Sequence, residues 1–265
     1  MPQPDRLSPV GVIVRTHDPD RYFTALFAPA ARREALFTLY AFNHELARAR
    51  EAVREPMAAL IRLQWWREVA EGSRTTAQVG GHAVAGPLAV ALDAGWLNAA
   101  DLLGMIDARE AEAGPIETQA AFEAYVLGSA GGVMAAAGRA LGLADAEELR
   151  PWGAAYGILG VLRSVPALAR RGRCVLPWEL LAAAGLNEAA VIAAPDAPGL
   201  RPVRNALLAV AGGWLARRVP LPRAAVAAAL PVAYARRDVR RGAAPGDRPV
   251  WDQVAVTMAA LLGCP

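Results

Sequence analysis

The sequence predicts an all-α fold in one domain, and three observations carry that expectation. Alanine and leucine dominate and β-branched residues are outnumbered, a balance that favours helices. Apolar residues recur at three- and four-residue steps in one segment after another, the spacing of a helix face. The 265 residues are 55% hydrophobic, ample for a core, and no shift in composition or repeat marks a boundary, so residues 1–265 read as one domain.

In chain order, a Pro-rich leader gives way to a short apolar helix from Gly11 to Arg15. His17, Asp18, Pro19 and Asp20 form a turn and helix cap, and Arg21 to Phe27 is a second apolar piece. A long helix is expected over 30–54, where Leu36, Leu39, Asn43, Leu46 and Ala47 share a face. After Pro56, a helix over 62–72 carries adjacent Trp65 and Trp66, which point about 100° apart, one inward and one half-exposed. Gly80 to Gly86 is a turn, with His82 near the next helix start. Helices follow over 88–95 and 99–113, the second capped by Asn98. Its acids Asp107, Glu110 and Glu112 read as a solvated face, with no second acidic cluster to complete a metal site. A helix over 118–142 has a small-residue centre, SAGGVMAAAG. Gly131 and Gly132 would each weaken it by roughly 1 kcal/mol relative to alanine, so they predict either close helix contact or a backbone approached by a ligand.

The next helix starts near Pro151, with Ala155, Leu159 and Leu162 on its apolar stripe and Gly157 and Gly160 as shallow spots. Pro166 is expected to stop or kink it near Val165. A short helix over 178–184 and a Pro-rich exposed connector over 187–204 follow. Helices over 205–218 and 223–241 come next, the second ending in the basic run ARRDVRRG, which the helix dipole favours at a C-terminus. A last amphipathic helix is expected over 251–262, with Trp251, Val254, Met258 and Leu261 at helical spacing.

Charge and cysteines narrow the functional classes. All 28 basic residues are arginine, the net charge is +3, and the arginines are spread along the chain. This permits contact with an anionic membrane face but is no nucleic-acid-binding composition. Cys174 and Cys264 lack any zinc-ligand or disulfide spacing. The first residues lack a signal-peptide plan, and no uninterrupted apolar run reaches membrane-spanning length. The expectation is a cytoplasmic protein, peripheral at most on the inner face of the cytoplasmic membrane.

The most informative stretch is 149–178, which holds no Asp or Glu but has Arg150, Arg163, Arg170, Arg171 and Arg173. Leu159 to Arg163, Gly172-Arg173 and Leu176-Pro177 keep the frame of a helix ending LRDVxED followed by a GRxYLP loop. That pattern resembles the second signature of the squalene/phytoene synthase family. Its acids, which in the family bind magnesium, are replaced here by Ser164, Ala167 and Leu168. Tyr40, Ala41 and Phe42 resemble the opening of the first signature, YAFCRxxDDxxD. There Asn43 and His44 replace Cys-Arg, Ala47 and Arg48 replace the paired acids, and Glu51 alone keeps a carboxylate. A cation at Arg48 would repel a divalent ion. The AFNHELA wording, the RxHD-like start at Arg15 and the LRxxP at Leu162 to Pro166 resemble one branch of the family, the mitochondrial respiratory complex I assembly factor and its bacterial relatives.

The resemblance implies an isoprenoid-synthase-like helical bundle. Its cavity is expected between the helices at 30–54, 118–142 and 153–165, lined by Tyr40, Asn43, Ala47, Glu51, Gly131, Gly157, Gly160 and Ser164. Arg33, Arg48, Arg163 and Arg173 are expected at a basic mouth. It further implies a catalytically degenerate protein with no metal or other cofactor, acting on the membrane arm of respiratory NADH dehydrogenase or holding an isoprenoid, quinone or lipid. The alternative is an active head-to-head prenyl synthase using magnesium. Ser129, Ser164 and Cys174 lack the surroundings of a hydrolase nucleophile such as GxSxG.

Overall fold

A computed structural model describes residues 7–51 and 55–265, apart from the side chains of Glu51 and Thr76. Among them there is helix and no strand. The helices are α1 (Pro9–His17), α2 (Pro19–Ala25), α3 (Ala30–Glu51), α4 (Pro56–Ala70), α5 (Thr76–Val79), α6 (Ala85–Asp93), α7 (Ala99–Glu110) and α8 (Gln119–Val126). They continue with α9 (Gly132–Ala140), α10 (Arg150–Ala169), α11 (Trp178–Ala183), α12 (Glu188–Ala193), α13 (Arg201–Leu215), α14 (Val226–Ala229), α15 (Pro231–Arg240) and α16 (Val250–Leu262).

Local chemistry sets most boundaries. The Asp18 carboxylate accepts the Arg21 amide at 3.1 Å and Asn98 accepts the Ala100 amide at 2.8 Å, satisfying donors that the first turn leaves open. His82 Nδ1 accepts from the amides of Val84 and Ala85 at the start of α6. Trp66 is buried and Trp65 half-buried, as their angular offset predicts.

The helix α10 is the axis of the bundle. It packs on the α8–α9 rod along one side and on α13 and α15 along the other, while α3 lies against α1, α4 and α9. Close approach depends on glycines facing each other. A Cβ at Gly153 would meet the Ala130 carbonyl oxygen at 2.7 Å and Gly131 Cα at 2.9 Å, and one at Gly131 would meet the Arg150 carbonyl oxygen at 2.7 Å. The rod stays continuous but widens into a π-type turn over Leu127–Gly131, a feature common at functional sites. Residues Gln119–Ala140 are long and apolar enough to cross a bilayer, yet 61% of their most apolar window is buried inside the bundle.

Two expectations are corrected, at Pro166 and in the 187–204 connector, and the direction of one stripe is added. The helix α10 does not stop near Val165 but runs through Pro166 to Ala169. Proline there removes a donor only in the last turn, and the amides of Arg170 and Arg173 still close on the Pro166 and Leu168 carbonyls. The connector over 187–204 contains α12 and the start of α13; Asn187 caps α12 by accepting the Ala190 amide at 2.9 Å. In α16 the stripe of Trp251, Val254, Met258 and Leu261 faces outward, and the inner face is Asp252, Val256 and Ala259. Of the helix expected over 30–54, residues 52–54 lie outside the described residues.

Candidate functional site

A cavity of about 220 Å³ opens where the ends of α2, α3 and α7 meet α8, the π turn and α10. Along α10, Gly157, Gly160, Val161, Ser164 and Leu168 face it. They recur at three- and four-residue steps, one stripe of a helix. Asn43 and Ala47, one turn apart, face it from α3, and Ser129 and Ala130 from the π turn. A Cβ at Gly160 would meet nothing within 4 Å, whereas one at Gly157 would strike the Ala130 Cβ at 2.6 Å. Gly160 is thus open space and Gly157 is helix packing at the cavity wall.

The polar wall is built by residues far apart in sequence. Glu112, in a tight helical turn just after α7, receives Arg109 Nη1 at 2.6 Å and Arg173 Nη2 at 2.7 Å. The Tyr125 hydroxyl donates to the same carboxylate at 2.9 Å, and Arg109 Nη2 reaches the Asn43 amide oxygen at 3.4 Å. Burial pushes the Glu112 carboxyl up, but Arg109 and Arg173 outweigh it and hold the group below the usual carboxylate range. Two guanidiniums therefore share one buried carboxylate, and Arg109 Nε is buried without a hydrogen-bond partner. Arg21 completes the basic wall. It is buried, bonded to Asp18 at 2.8 Å, and its guanidinium lies 4.9 Å from the centre of the Tyr156 ring.

Behind Tyr156 lies a second polar cluster that the cavity does not reach. The Tyr156 hydroxyl donates to Asp20 at 3.1 Å, and Arg248 Nε donates to the same carboxylate at 2.5 Å. Arg248 also makes a paired contact with Asp238 at 2.8 and 2.7 Å, and Arg163 donates to Asp238 at 3.0 Å. Asp252, fully buried, is held by Arg237 and Arg241.

Of the expected site residues, Asn43, Ala47, Gly157, Gly160, Ser164 and Arg173 line the cavity. Tyr40 does not, because it is packed into the core beside Arg21. Gly131 is taken up by the contact with α10. Arg33 folds back onto the Ala28 carbonyl at 3.0 Å. Arg48 is exposed beside Glu45. Arg163 sits about 100° around the helix from Ser164 and turns away to Asp238 and the Gly246 carbonyl. The side chain of Glu51 lies outside the described residues. Sequence reasoning missed Arg21, Arg109, Tyr125, Ser129 and Tyr156, and read Glu112 as part of a solvated face. Asp107 and Glu110 are exposed, as a solvated face implies, and share the Arg67 guanidinium at 2.5 and 2.8 Å.

The lining does not fit magnesium. That ion needs several hard oxygen ligands in near-octahedral geometry. Among the described residues no group of three His, Cys, Asp or Glu could hold a metal, and the carboxylate in the wall, Glu112, is already committed to two arginines. What the wall offers instead is guanidinium donors, suited to an anionic group.

Comparison with known proteins follows the same lines. The sequence model of squalene/phytoene synthases matches residues 14–260. A dehydrosqualene synthase in complex with ligand superposes with a TM-score of 0.72 over 96% of this chain and 94% of that one, at 17% identity. The squalene synthase HpnC from Alicyclobacillus acidocaldarius gives 0.61 over 96% and 92%, at 16% identity. These likenesses concern the fold. The human NADH dehydrogenase (ubiquinone) complex I assembly factor 6 is 37% identical over 59 residues, and its Bos taurus counterpart 36%. That stretch is 22% of this chain and 18% of each relative's own length.

Proposed function

The chain belongs to the squalene/phytoene synthase family, and from that premise we propose that it is a catalytically silent member acting in the assembly of respiratory NADH dehydrogenase. The observation that carries the reading is the wall of the cavity. Ala47 and Ser164, at positions where the family resemblance implies acids, line the cavity, and Glu112 is neutralised by Arg109 and Arg173.

The chemistry explains why that matters. Head-to-head prenyl transfer begins by ionising an allylic diphosphate, and the charge growing on the leaving group must be stabilised more than the ground state is. Metal ions held by opposed carboxylates supply that difference. Arg109 and Arg173 can bind an anion, but they are already braced against Glu112 and bind it in the ground state too. Among the described residues, those in the wall suit holding a charged group and none is placed to drive its release.

The assembly role rests on the likeness to assembly factor 6, with a membrane-arm subunit of the enzyme as the partner. A bound isoprenoid, quinone or lipid fits a cavity with mixed polar and apolar walls, and the protein would work at the inner face of the cytoplasmic membrane. Deleting the gene and resolving respiratory complexes on native gels tests the role. Loss of assembled NADH dehydrogenase, restored by the wild-type chain, is expected; intact assembly would overturn it. A rise in Tm with a quinone or farnesyl diphosphate is expected if the cavity is a ligand site, and no shift with either removes that part.

A further inference from the structure

The helix α16 has two faces to cover and the bundle covers one. It is apolar on both sides, which ordinarily marks a helix enclosed all round. Its inner face packs with Tyr234 and Leu230 of the α14–α15 region, and Phe23 of α2 joins the same cluster. Its outer face leaves Trp251 71% exposed, Leu261 60% and Leu262 70%, with Val254 and Met258 also exposed between them. These positions recur at three- and four-residue steps and form one stripe. Phe27, half-open to solvent and 5.4 Å edge-on to Phe23, adds apolar surface on the neighbouring element.

Charge in the part of the chain that carries this stripe, from Arg201 onward, is one-sided. The only ionisable residue in α16 is Asp252, fully buried under Arg237 and Arg241. From Arg201 onward the other acids are Asp238, likewise buried, and Asp247 in the exposed loop before α16. Arginines stand at both ends of the helix. Arg240 and Arg241 lie at the Asp252 end, at the close of α15. At the other end Arg236 reaches both the Leu215 and Pro265 carbonyls, which brings the end of α13 close to the end of α16, and exposed Arg217 and Arg218 follow Leu215 by two and three residues. The basic run at the end of α15 is thus partly spent on Asp252, and the apolar stripe takes over as the main surface feature.

We propose that the outer face of α16 docks this protein onto an anionic lipid surface, with the helix lying in the plane of the interface. Its 13 residues span about 20 Å, short of the roughly 30 Å of a hydrocarbon core, so it lies on a bilayer and does not cross it. Trp251, an amphipathic ring at the headgroup level, suits that depth, and the flanking arginines supply attraction to anionic lipid. A second copy of the chain would bring the same arginines against each other, whereas a negatively charged surface pairs with them. This deepens the membrane part of the function proposed above, but vesicle binding is read without the respiratory enzyme, so the two stand or fall separately.

The test is flotation of the full chain with vesicles of phosphatidylcholine, with and without phosphatidylglycerol. Wild-type protein is expected to float with the anionic vesicles, less so at high salt, and weakly with phosphatidylcholine alone. Trp251→Gln combined with Leu261→Gln should lower partitioning about tenfold or more per side chain at unchanged Tm, since both are exposed. Arg217→Gln with Arg218→Gln should cost up to about fivefold each. Met57→Gln, at an exposed apolar residue on α4, should leave binding unchanged. Wild-type protein that stays at the bottom of the gradient overturns the proposal, as does flotation indifferent to the α16 substitutions. Sedimentation showing a dimer that Trp251→Gln with Leu261→Gln dissolves would assign the face to a second copy and also overturn it.

Discussion

Two polar clusters flank Tyr156 and handle charge in opposite ways. On the cavity side, Arg109 and Arg173 share the carboxylate of Glu112, leaving cation in excess against an open space. On the far side, Asp20, Asp238 and Asp252 are bound by Arg163, Arg237, Arg241 and Arg248, and these contacts tie α2, α10, α15 and α16 together. Burial raises the Asp20 carboxyl against the pull of Arg248, whereas the two arginines on Glu112 win over burial. The acids of the far cluster serve as fasteners between helices, and the one in the cavity wall serves to hold two arginines. Neither arrangement leaves a carboxylate free to face a metal ion.

The contrast can be broken first where it is structurally deepest. Asp238→Asn takes from half-buried Arg163 and Arg248 the buried carboxylate they share, while Arg248 keeps Asp20, and we expect a loss of about 3 kcal/mol, measured by urea unfolding. An effect under about 1 kcal/mol would mean that the far cluster fastens nothing. Glu112→Gln should cost about 1.5–3 kcal/mol, because the amide oxygen can still accept from one of the two arginines.

Glu112 also predicts a pH dependence. Its folded pKa lies below its unfolded value, so its stabilisation is full above the unfolded value and is lost as pH falls through the depressed folded one. The fall in Tm through the acid range should therefore be shallower in Glu112→Gln than in wild type; parallel profiles would refute the pairing. Gly153→Ala probes the contact that sets the cavity's width. Its Cβ has only backbone and Met134 to push against, so about 1–3 kcal/mol is expected. Arg48→Ala, at an exposed pair with Glu45, should change stability by no more than about 0.5 kcal/mol, which separates a surface arginine from those in the wall.

Much of the frame was legible before any coordinates. The period of apolar residues marked α3, the α8–α9 rod and α10, and the glycines at 131, 153 and 157 lie where those helices touch. The α10 stripe of Gly157, Gly160 and Ser164 could be read because residues on one helix face have fixed spacing. The pair of Arg109 and Glu112 is local, three residues apart, but its place in a cavity wall could not be read, since Tyr125 and Arg173 lie 13 and 61 residues from Glu112 along the chain. Periodicity also fixes a stripe without saying which way it points, so the outward turn of Trp251 and Leu261 came only with the fold. The cap at Asn187, with Glu188 in the first turn, was a local signal of α12 hidden by the prolines around it.

The central claim is that the cavity cannot assist departure of a diphosphate. Pyrophosphate release from farnesyl diphosphate, followed with purified wild-type protein and excess magnesium, tests it most directly. The account predicts release no faster than in a protein-free control. Magnesium-dependent turnover, lost on chelation, would contradict it.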